Sequence, residues 1–369
     1  MAVGIYVHIP FCRAKCRYCD FNSYAGMDAW MEEYIRALCG EIRNYQGENR
    51  ADTVYFGGGT PTVLPPELLV RVLETIRERF ELSSDCEITA ECNPATMGVN
   101  GFKKLRNAGF NRLSIGLQTA DDRLLSELGR VHTFADFETC FRAAREAGFE
   151  NLSLDLIFGL PGQGRRGWAD TLTRAVAFRP EHISCYALKI EEGTPFASME
   201  LDLPDDDSSR ELYDDCVAFL EGAGYRRYEI SNFAKPGYES RHNCKYWQCD
   251  DFAGFGAGAY SCIGGRRYDN QRQIPAYCME IQTHGAAAAE VIPLSLEDRM
   301  SEFCFLGLRM TDGIGEAEFA RRFGRGIRDV YGQALTKNER RGTLICQNGR
   351  IRIPSEWLYV CNGILVDFL

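Results

Sequence analysis

Val3-Gly4-Ile5-Tyr6-Val7-His8-Ile9 runs straight into Pro10-Phe11-Cys12-Arg13-Ala14-Lys15-Cys16-Arg17-Tyr18-Cys19. The first seven residues form a short apolar run that reads as a strand. Three cysteines follow it, spaced Cys-x-x-x-Cys-x-x-Cys. Outward from here the chain alternates. Asp28–Asn44 reads as a helix with Met31, Tyr34, Ile35, Leu38 and Ile42 on one face. Thr53–Phe56 is a strand, and Pro65 and Pro66 open a helix whose apolar face is Leu69, Val72, Leu73, Ile76 and Phe80. Strands at Glu87–Glu91, Leu113–Leu117, Leu152–Phe158 and Ile183–Leu188 are separated by helical patterns that include Gly101–Ala108 and Gly167–Phe178.

Six β-α steps within about 190 residues imply a parallel sheet wrapped by helices. A closed eight-stranded barrel needs ~250 residues. The expected fold is therefore α/β, a partial (β/α)6 barrel of TIM type, with its chemistry at the C-terminal ends of the strands. After Pro195 the pattern changes. Asp202–Asp207 is an acidic surface loop, Ser209–Glu221 a helix, and Gly237–Asn270 is dense in Gly, Cys and aromatics. From Pro293 onward, helices at Leu296–Leu308 and Ala317–Phe323 precede Leu344–Gln347 and Arg350–Ile353, which flank the hairpin turn Asn348-Gly349. That order suggests a C-terminal α+β, winged-helix-like appendage. The expected domains are 1–195, 196–292 and 293–369.

The chain has 369 residues, 45% hydrophobic and 25% charged. This is ordinary globular usage and excludes long disorder and collagen. No run reaches the ~18 apolar residues of a membrane span, and no secretory signal pattern opens the chain. A net charge of −10 argues against a nucleic-acid coat. Sixteen cysteines in a long chain without an export signal imply reduced thiols and a cytoplasmic setting. Cys39, Cys86, Cys140, Cys185, Cys216, Cys278 and Cys304 are scattered singly and read as small buried hydrophobes.

Cys12, Cys16 and Cys19 are different. Soft thiolates select iron–sulfur clusters or zinc. Structural zinc wants four ligands, and no matching second pair follows. Three thiolates can hold three corners of an iron–sulfur cube, leaving one iron open. Arg13, Lys15 and Arg17 supply positive charge that favours thiolates. Other polar groups stand at the ends of later strands. Gly57-Gly58-Gly59-Thr60-Pro61 follows the second strand and allows close backbone approach to a ligand. Glu91 ends the third strand, Gln118 ends the fourth, and Asp155 interrupts the fifth. Arg130 sits in Gly129-Arg130-Val131-His132, placed to pair with a carboxylate. A buried unpaired Asp is costly, so Asp155 implies a partner.

Tyr6-Val7-His8-Ile9-Pro10-Phe11-Cys12, followed by Cys16 and Cys19, resembles the opening of a radical S-adenosylmethionine (SAM) protein. It is most similar to the oxygen-independent coproporphyrinogen III oxidase family, in register to Asn270 and more loosely beyond. The resemblance implies a 4Fe–4S cluster on Cys12, Cys16 and Cys19 with SAM on the open iron. It implies SAM contacts at Tyr6, Tyr18, Gly58, Gly59, Thr60, Glu91, Gln118, Arg130 and Asp155, some of which serve a second SAM in the dehydrogenase branch. It also implies an electron donor for the cluster.

His242-Asn243-Cys244-Lys245-Tyr246-Trp247 resembles the His-Asn-x-x-Tyr-Trp motif of the HemW branch, whose members look like heme chaperones. Gly254-Phe255-Gly256-Ala257-Gly258-Ala259 resembles a neighbouring loop that closes on the cofactor. Two departures select this branch. The dehydrogenases carry a fourth Cys where this chain has Phe21, and an N-terminal extension where this chain begins its strand at Val3. The expected function is a heme-binding chaperone that passes heme to acceptor proteins, with heme contacts at His242 and Tyr246. The alternative is a coproporphyrinogen III dehydrogenase, which decarboxylates propionates through a 5′-deoxyadenosyl radical.

Overall fold

The computed structural model describes residues 2–369. Six parallel strands form its centre: β1 Val3–Ile9, β2 Arg50–Gly58, β3 Glu81–Cys92, β4 Arg112–Gln118, β5 Asn151–Phe158 and β6 His182–Ala187. They lie side by side in chain order. Their registers place Ile5 beside Val54, Val54 beside Ile88, and Leu113 beside Leu152. Every residue of β4 is buried, as expected for a parallel strand covered on both faces.

The covering helices are Met31–Asn44, Pro66–Arg79, Val99–Ala108, Phe134–Glu146, Arg165–Ala177 and Asp206–Gly222. Their starts are written in the sequence. Thr133 and Asp136 form a capping box, and the Asp205 carboxylate accepts from the Ser208 amide. Each helix lays an apolar face on the sheet. Leu69, Val72, Leu73 and Ile76 are fully buried, as are Phe102, Leu105 and Phe137.

The sheet continues beyond the six strands at both edges. β7 Arg226–Arg227 and β8 Asn232–Ala234 extend the β6 edge antiparallel. β9 Phe252–Phe255 adds in parallel to β1. The strands β10 Tyr260–Ile263, β11 Arg266–Asn270 and β12 Ala288–Pro293 then extend it as an antiparallel meander. The order of this twelve-stranded sheet is β12-β11-β10-β9-β1-β2-β3-β4-β5-β6-β8-β7. The two edges do not pair, so the barrel is open, as the count of β-α units implies.

The C-terminal helices Leu296–Gly307, Glu316–Phe323 and Ile327–Arg341 pack with β13 Ile314–Gly315, β14 Ile345–Gln347 and β15 Arg350–Arg352. They enclose a separate core of Met300, Phe303, Phe319, Leu335, Ile351 and Phe368. Asn348 and Gly349 both have positive φ, 53° and 72°, as a two-residue primed turn requires. Three helices with a small antiparallel sheet give the expected winged-helix-like arrangement. Among the described residues no helix is long and apolar enough to cross a membrane.

Candidate functional site

β1 delivers the cysteine loop to the mouth of the sheet, and neighbouring strands fix it there. Phe11–Cys12 pairs in parallel with Tyr24–Ala25, folding the loop back on itself. The Gly59 amide donates to Ile9 O at 2.9 Å and the Thr60 amide to Phe11 O at 2.8 Å. The Arg17 amide donates to Leu128 O at 2.9 Å. Inside the loop, Lys15 Nζ donates to Phe21 O at 2.6 Å and to Ser23 O at 3.3 Å. Cys12, Cys16 and Cys19 are half-buried and line one cavity of about 440 Å³. Burial pushes the Cys12 and Cys19 thiols above their ordinary range, and Lys15 opposes it.

The strand ends converge on the same cavity. Tyr18, Gly58, Gly59, Thr60, Glu91, Gln118, Arg130 and Asp155 all line it. A side chain at Gly59 would put Cβ 2.7 Å from Phe11 O and 3.0 Å from Cys12 Sγ. Gly58 has φ +110°, and a Cβ there would sit 2.6 Å from His8 Cε1. Gln118 also has positive φ, 68°, where β4 breaks register beside β5. Such strain in a non-glycine residue marks functional sites.

Arg130 is the centre of a polar network. Its guanidinium donates to Asn93 Oδ1, to Gly116 O at 2.9 Å and to Cys16 Sγ at 3.6 Å. Asn93 Nδ2 in turn donates to Thr60 Oγ1 at 2.7 Å, and Thr60 Oγ1 lies 3.5 Å from Cys12 Sγ. Two cluster-type thiols are thus tied to the third and fourth strands through Asn93. Asp155 has its expected partner: Ser114 Oγ donates to it at 3.1 Å. Burial raises the Asp155 carboxyl, and nearby Ser184 and Ser114 hydroxyls counter it. Glu91 is pushed up to about 7, first by burial and then by Asp155, while the Tyr55 hydroxyl donating at 2.9 Å opposes the shift. Near neutral pH, Glu91 can therefore accept hydrogen bonds as a carboxylate or donate one as an acid.

A second cavity of about 650 Å³ lies on the other side of Gly58 and Glu91, which line both. Tyr6 and Tyr246 face this second cavity, with Tyr24, Phe252, Tyr260 and Arg272. The Tyr6 hydroxyl donates to His8 Nδ1 at 3.1 Å, and His8 Nε2 donates to Asn22 O at 2.8 Å. The expected SAM residues therefore divide across a ridge. Tyr6 is on one side, Tyr18, Gln118, Arg130 and Asp155 on the other.

His242 lines neither cavity. Its helix, Arg241–Trp247, is capped by Glu87, whose carboxylate accepts from the His242 amide at 3.1 Å and the Arg241 amide at 3.2 Å. The imidazole is 1% exposed. Nδ1 is 2.9 Å from Thr53 Oγ1 and Nε2 is 2.8 Å from the Tyr246 hydroxyl. Its ring stacks 5.2 Å from Tyr55. Burial drives its pKa down to about 3, with Lys245 adding to the effect. Both ring nitrogens expected to offer a heme contact are thus engaged, by Thr53 and by Tyr246. Tyr246 is the member of the pair that meets a cavity.

The donor set fits an iron–sulfur cluster: three thiols line one cavity, and Gly59 packs so closely on Cys12 Sγ that a side chain there would crowd it. Among the described residues no three His, Cys, Asp or Glu groups stand close enough to hold a single metal ion, these thiols included. Asn93, Tyr55, His8 and Ser114 were missed as site residues. Asn93 was within reach of sequence reasoning, as a polar residue between a strand end and Pro94.

Comparisons with known proteins bear on the family and the fold. The Radical SAM superfamily matches residues 6–175, and the HemN C-terminal domain matches residues 294–356. The heme chaperone HemW of Bacillus subtilis is 37% identical over 372 residues, covering 99% of this chain and 98% of its own. That of Escherichia coli is 37% identical over 265 residues, covering 71% and 70%. The mitochondrial radical S-adenosyl methionine domain-containing protein 1 of Bos taurus is 32% identical, covering 99% and 87%. Among solved structures, coproporphyrinogen III oxidase (HemN) from Escherichia coli, a radical SAM enzyme, superposes with a TM-score of 0.88. It is 25% identical and covers 100% of this chain and 90% of its own. The thiol loop, the strand-end network and the full-length match together make this chain a member of the heme chaperone HemW family within the radical SAM superfamily.

Proposed function

We propose that this protein binds heme and passes it to acceptor proteins in the cytoplasm, drawing electrons from a separate donor protein. The observation that carries this reading is the match to the Bacillus subtilis heme chaperone along 99% of the chain. Cys12, Cys16 and Cys19 would hold the 4Fe–4S cluster. Bound on its open iron, SAM would be the source of any radical chemistry. Gly58, Gly59 and Thr60 would offer backbone groups to it, and Glu91 would receive its ammonium. Tyr6 would take the part of SAM reaching the second cavity. Tyr18, Gln118, Arg130 and Asp155 would shape the opposite wall.

Tyr246 is the proposed heme contact, and His242 the residue that holds its hydroxyl. The proposed division of labour follows the chain. Residues 1–195 carry the cluster and SAM, 196–292 bring Tyr246 and the glycine loop, and 293–369 dock the partner. Phe21 supports the chaperone reading over the dehydrogenase. It lines both cavities and is 65% exposed, an apolar surface where the dehydrogenases place a fourth thiol.

The test is anaerobic. Protein with reconstituted iron and sulfide is given SAM, a strong reductant and coproporphyrinogen III, and is separately titrated with heme. Saturable heme binding without protoporphyrinogen formation is expected. Many turnovers per chain, beside a working dehydrogenase control, would overturn the proposal.

A further inference from the structure

Cys92 and Cys140 are buried thiols for which the functional site has no use. Cys92 is the last residue of β3, and Cys140 stands in the helix Phe134–Glu146. Their sulfurs are 3.7 Å apart. A disulfide has S–S of ~2.05 Å, so the sulfurs need to approach by less than ~2 Å. Both residues are nearly sealed, at 2% and 3% exposure. Cys92 nonetheless lines the wall of the first cavity, behind the cysteine loop. Cys185 and Cys216 also meet side chain to side chain, but both are buried in the core and neither lines this cavity.

The local chemistry favours Cys92 as the attacking sulfur. The Cys140 thiol beside it holds Cys92 below the ordinary thiol range, against the effect of burial. Cys140 is raised by the same contact and by burial. Oxidation follows thiolate character and access together, and the first cavity is the route of access to Cys92.

We propose that Cys92 and Cys140 form a reversible oxidation site, a dithiol converted to a disulfide by a small peroxide that enters the first cavity when no cluster is seated there. The Cys92 thiolate attacks one peroxide oxygen and breaks the O–O bond. This yields a sulfenic acid, and the leaving hydroxide takes up a proton to become water. The Cys140 sulfur then attacks the Cys92 sulfur and forms the S–S bond. The sulfenic oxygen leaves as a second water, carrying the Cys140 proton. Two thiols lose two electrons and the peroxide gains two. Closing this bond pulls on Asn93, the next residue, which links Thr60 and Arg130 to the thiols of Cys12 and Cys16. Oxidation therefore reaches the cluster cradle.

The experiment treats the full chain with equimolar hydrogen peroxide, in cluster-free and cluster-reconstituted forms. Alkylation, digestion and non-reducing mass spectrometry follow. The expected product is a Cys92–Cys140 linked peptide pair in the cluster-free form, released by dithiothreitol and suppressed about tenfold when the cluster is seated. Cys185 and Cys216 remain alkylatable in both forms. In Cys140→Ser the linkage disappears and Cys92 accumulates as sulfinic acid. If that variant does not fold, the linkage map of the unaltered chain decides alone. Free Cys92 and Cys140 thiols in a chain whose Cys12, Cys16 and Cys19 are oxidised would overturn the proposal. Only the protection by the cluster rests on the proposed function. Equal linkage in both forms would uphold the dithiol and count against the cluster's place in this cavity.

Discussion

The pH dependence of stability decides whether His242 is a buried neutral group or an accessible ligand. His242 is held at about 3 in the fold by burial, against about 6.5 in an unfolded chain. A depressed histidine contributes stability that is present above pH 6.5 and is lost as pH falls toward its folded value. The loss is about 1.4 kcal/mol per pH unit for each such group. His8 and His132 are lowered to about 4, and His182 lies well below its ordinary value, each chiefly by burial. Glu91 and Glu229, both raised to about 7 by burial, act in the opposite direction. They bind protons in the fold before the unfolded chain does. Glu41, Asp155 and Glu302, also raised by burial, act with them, so the net slope is shallower than the four histidines alone would give. His242→Gln removes one of the four. At pH 7.5 the variant loses about 1–3 kcal/mol, because Thr53 and Tyr246 lose a buried partner. By pH 5 the deficit shrinks by about 2 kcal/mol, since the variant lacks that protonation. Urea denaturation of the reduced, cluster-free chain at pH 7.5, 6.5, 5.75 and 5 measures both curves. Parallel curves would refute the reasoning. They would mean that His242 protonates freely in the folded chain and has an accessible nitrogen.

Three further outcomes test the site. Phe21→Cys restores the fourth thiol of the dehydrogenases, yet heme titration is expected to be unchanged and chromatography to show no protoporphyrinogen. Arg130→Ala orphans the Asn93 amide oxygen and the Gly116 carbonyl; the denaturation midpoint should report a loss of about 2–6 kcal/mol, and iron retained after reconstitution should fall. Gly58→Ala forces a Cβ against the His8 ring at φ +110°, so equilibrium dialysis should show SAM binding lost, and native SAM affinity would exclude the Gly58 ridge as its seat.

The six central strands were legible because parallel strands are buried on both faces and read as apolar runs. All seven residues of β4, including Arg112 and Gln118, are buried. The antiparallel meander from β10 to β12 was not legible. Its strands are edge-like, Tyr260 and Val291 are exposed, and glycines interrupt it. The helix Ile327–Arg341 was missed for a related reason. It buries only Ile327, Leu335 and Asn338, and it breaks at Tyr331, where φ is −113°. Its apolar stripe is too thin to show a helical period.

The same distinction explains the site. Cys12, Cys16 and Cys19 are legible as candidate cluster ligands because their spacing puts three soft donors on one loop, whatever packs around them. His242 carries the same kind of signal, a potential ligand in a dense motif. Its role, however, depends on Thr53 and Tyr55, almost two hundred residues earlier in the chain. No local pattern reports that Thr53 waits for one nitrogen of an imidazole whose other nitrogen Tyr246 already meets. The motif is better read as a pair in which the buried histidine is a fixed scaffold and Tyr246 meets the cavity. On that view, His242→Gln weakens heme binding only as far as it frees the Tyr246 hydroxyl. Tyr246→Phe then removes what His242→Gln merely loosens, and heme affinity should fall further in Tyr246→Phe than in His242→Gln. The reverse ranking would return the ligand to the histidine.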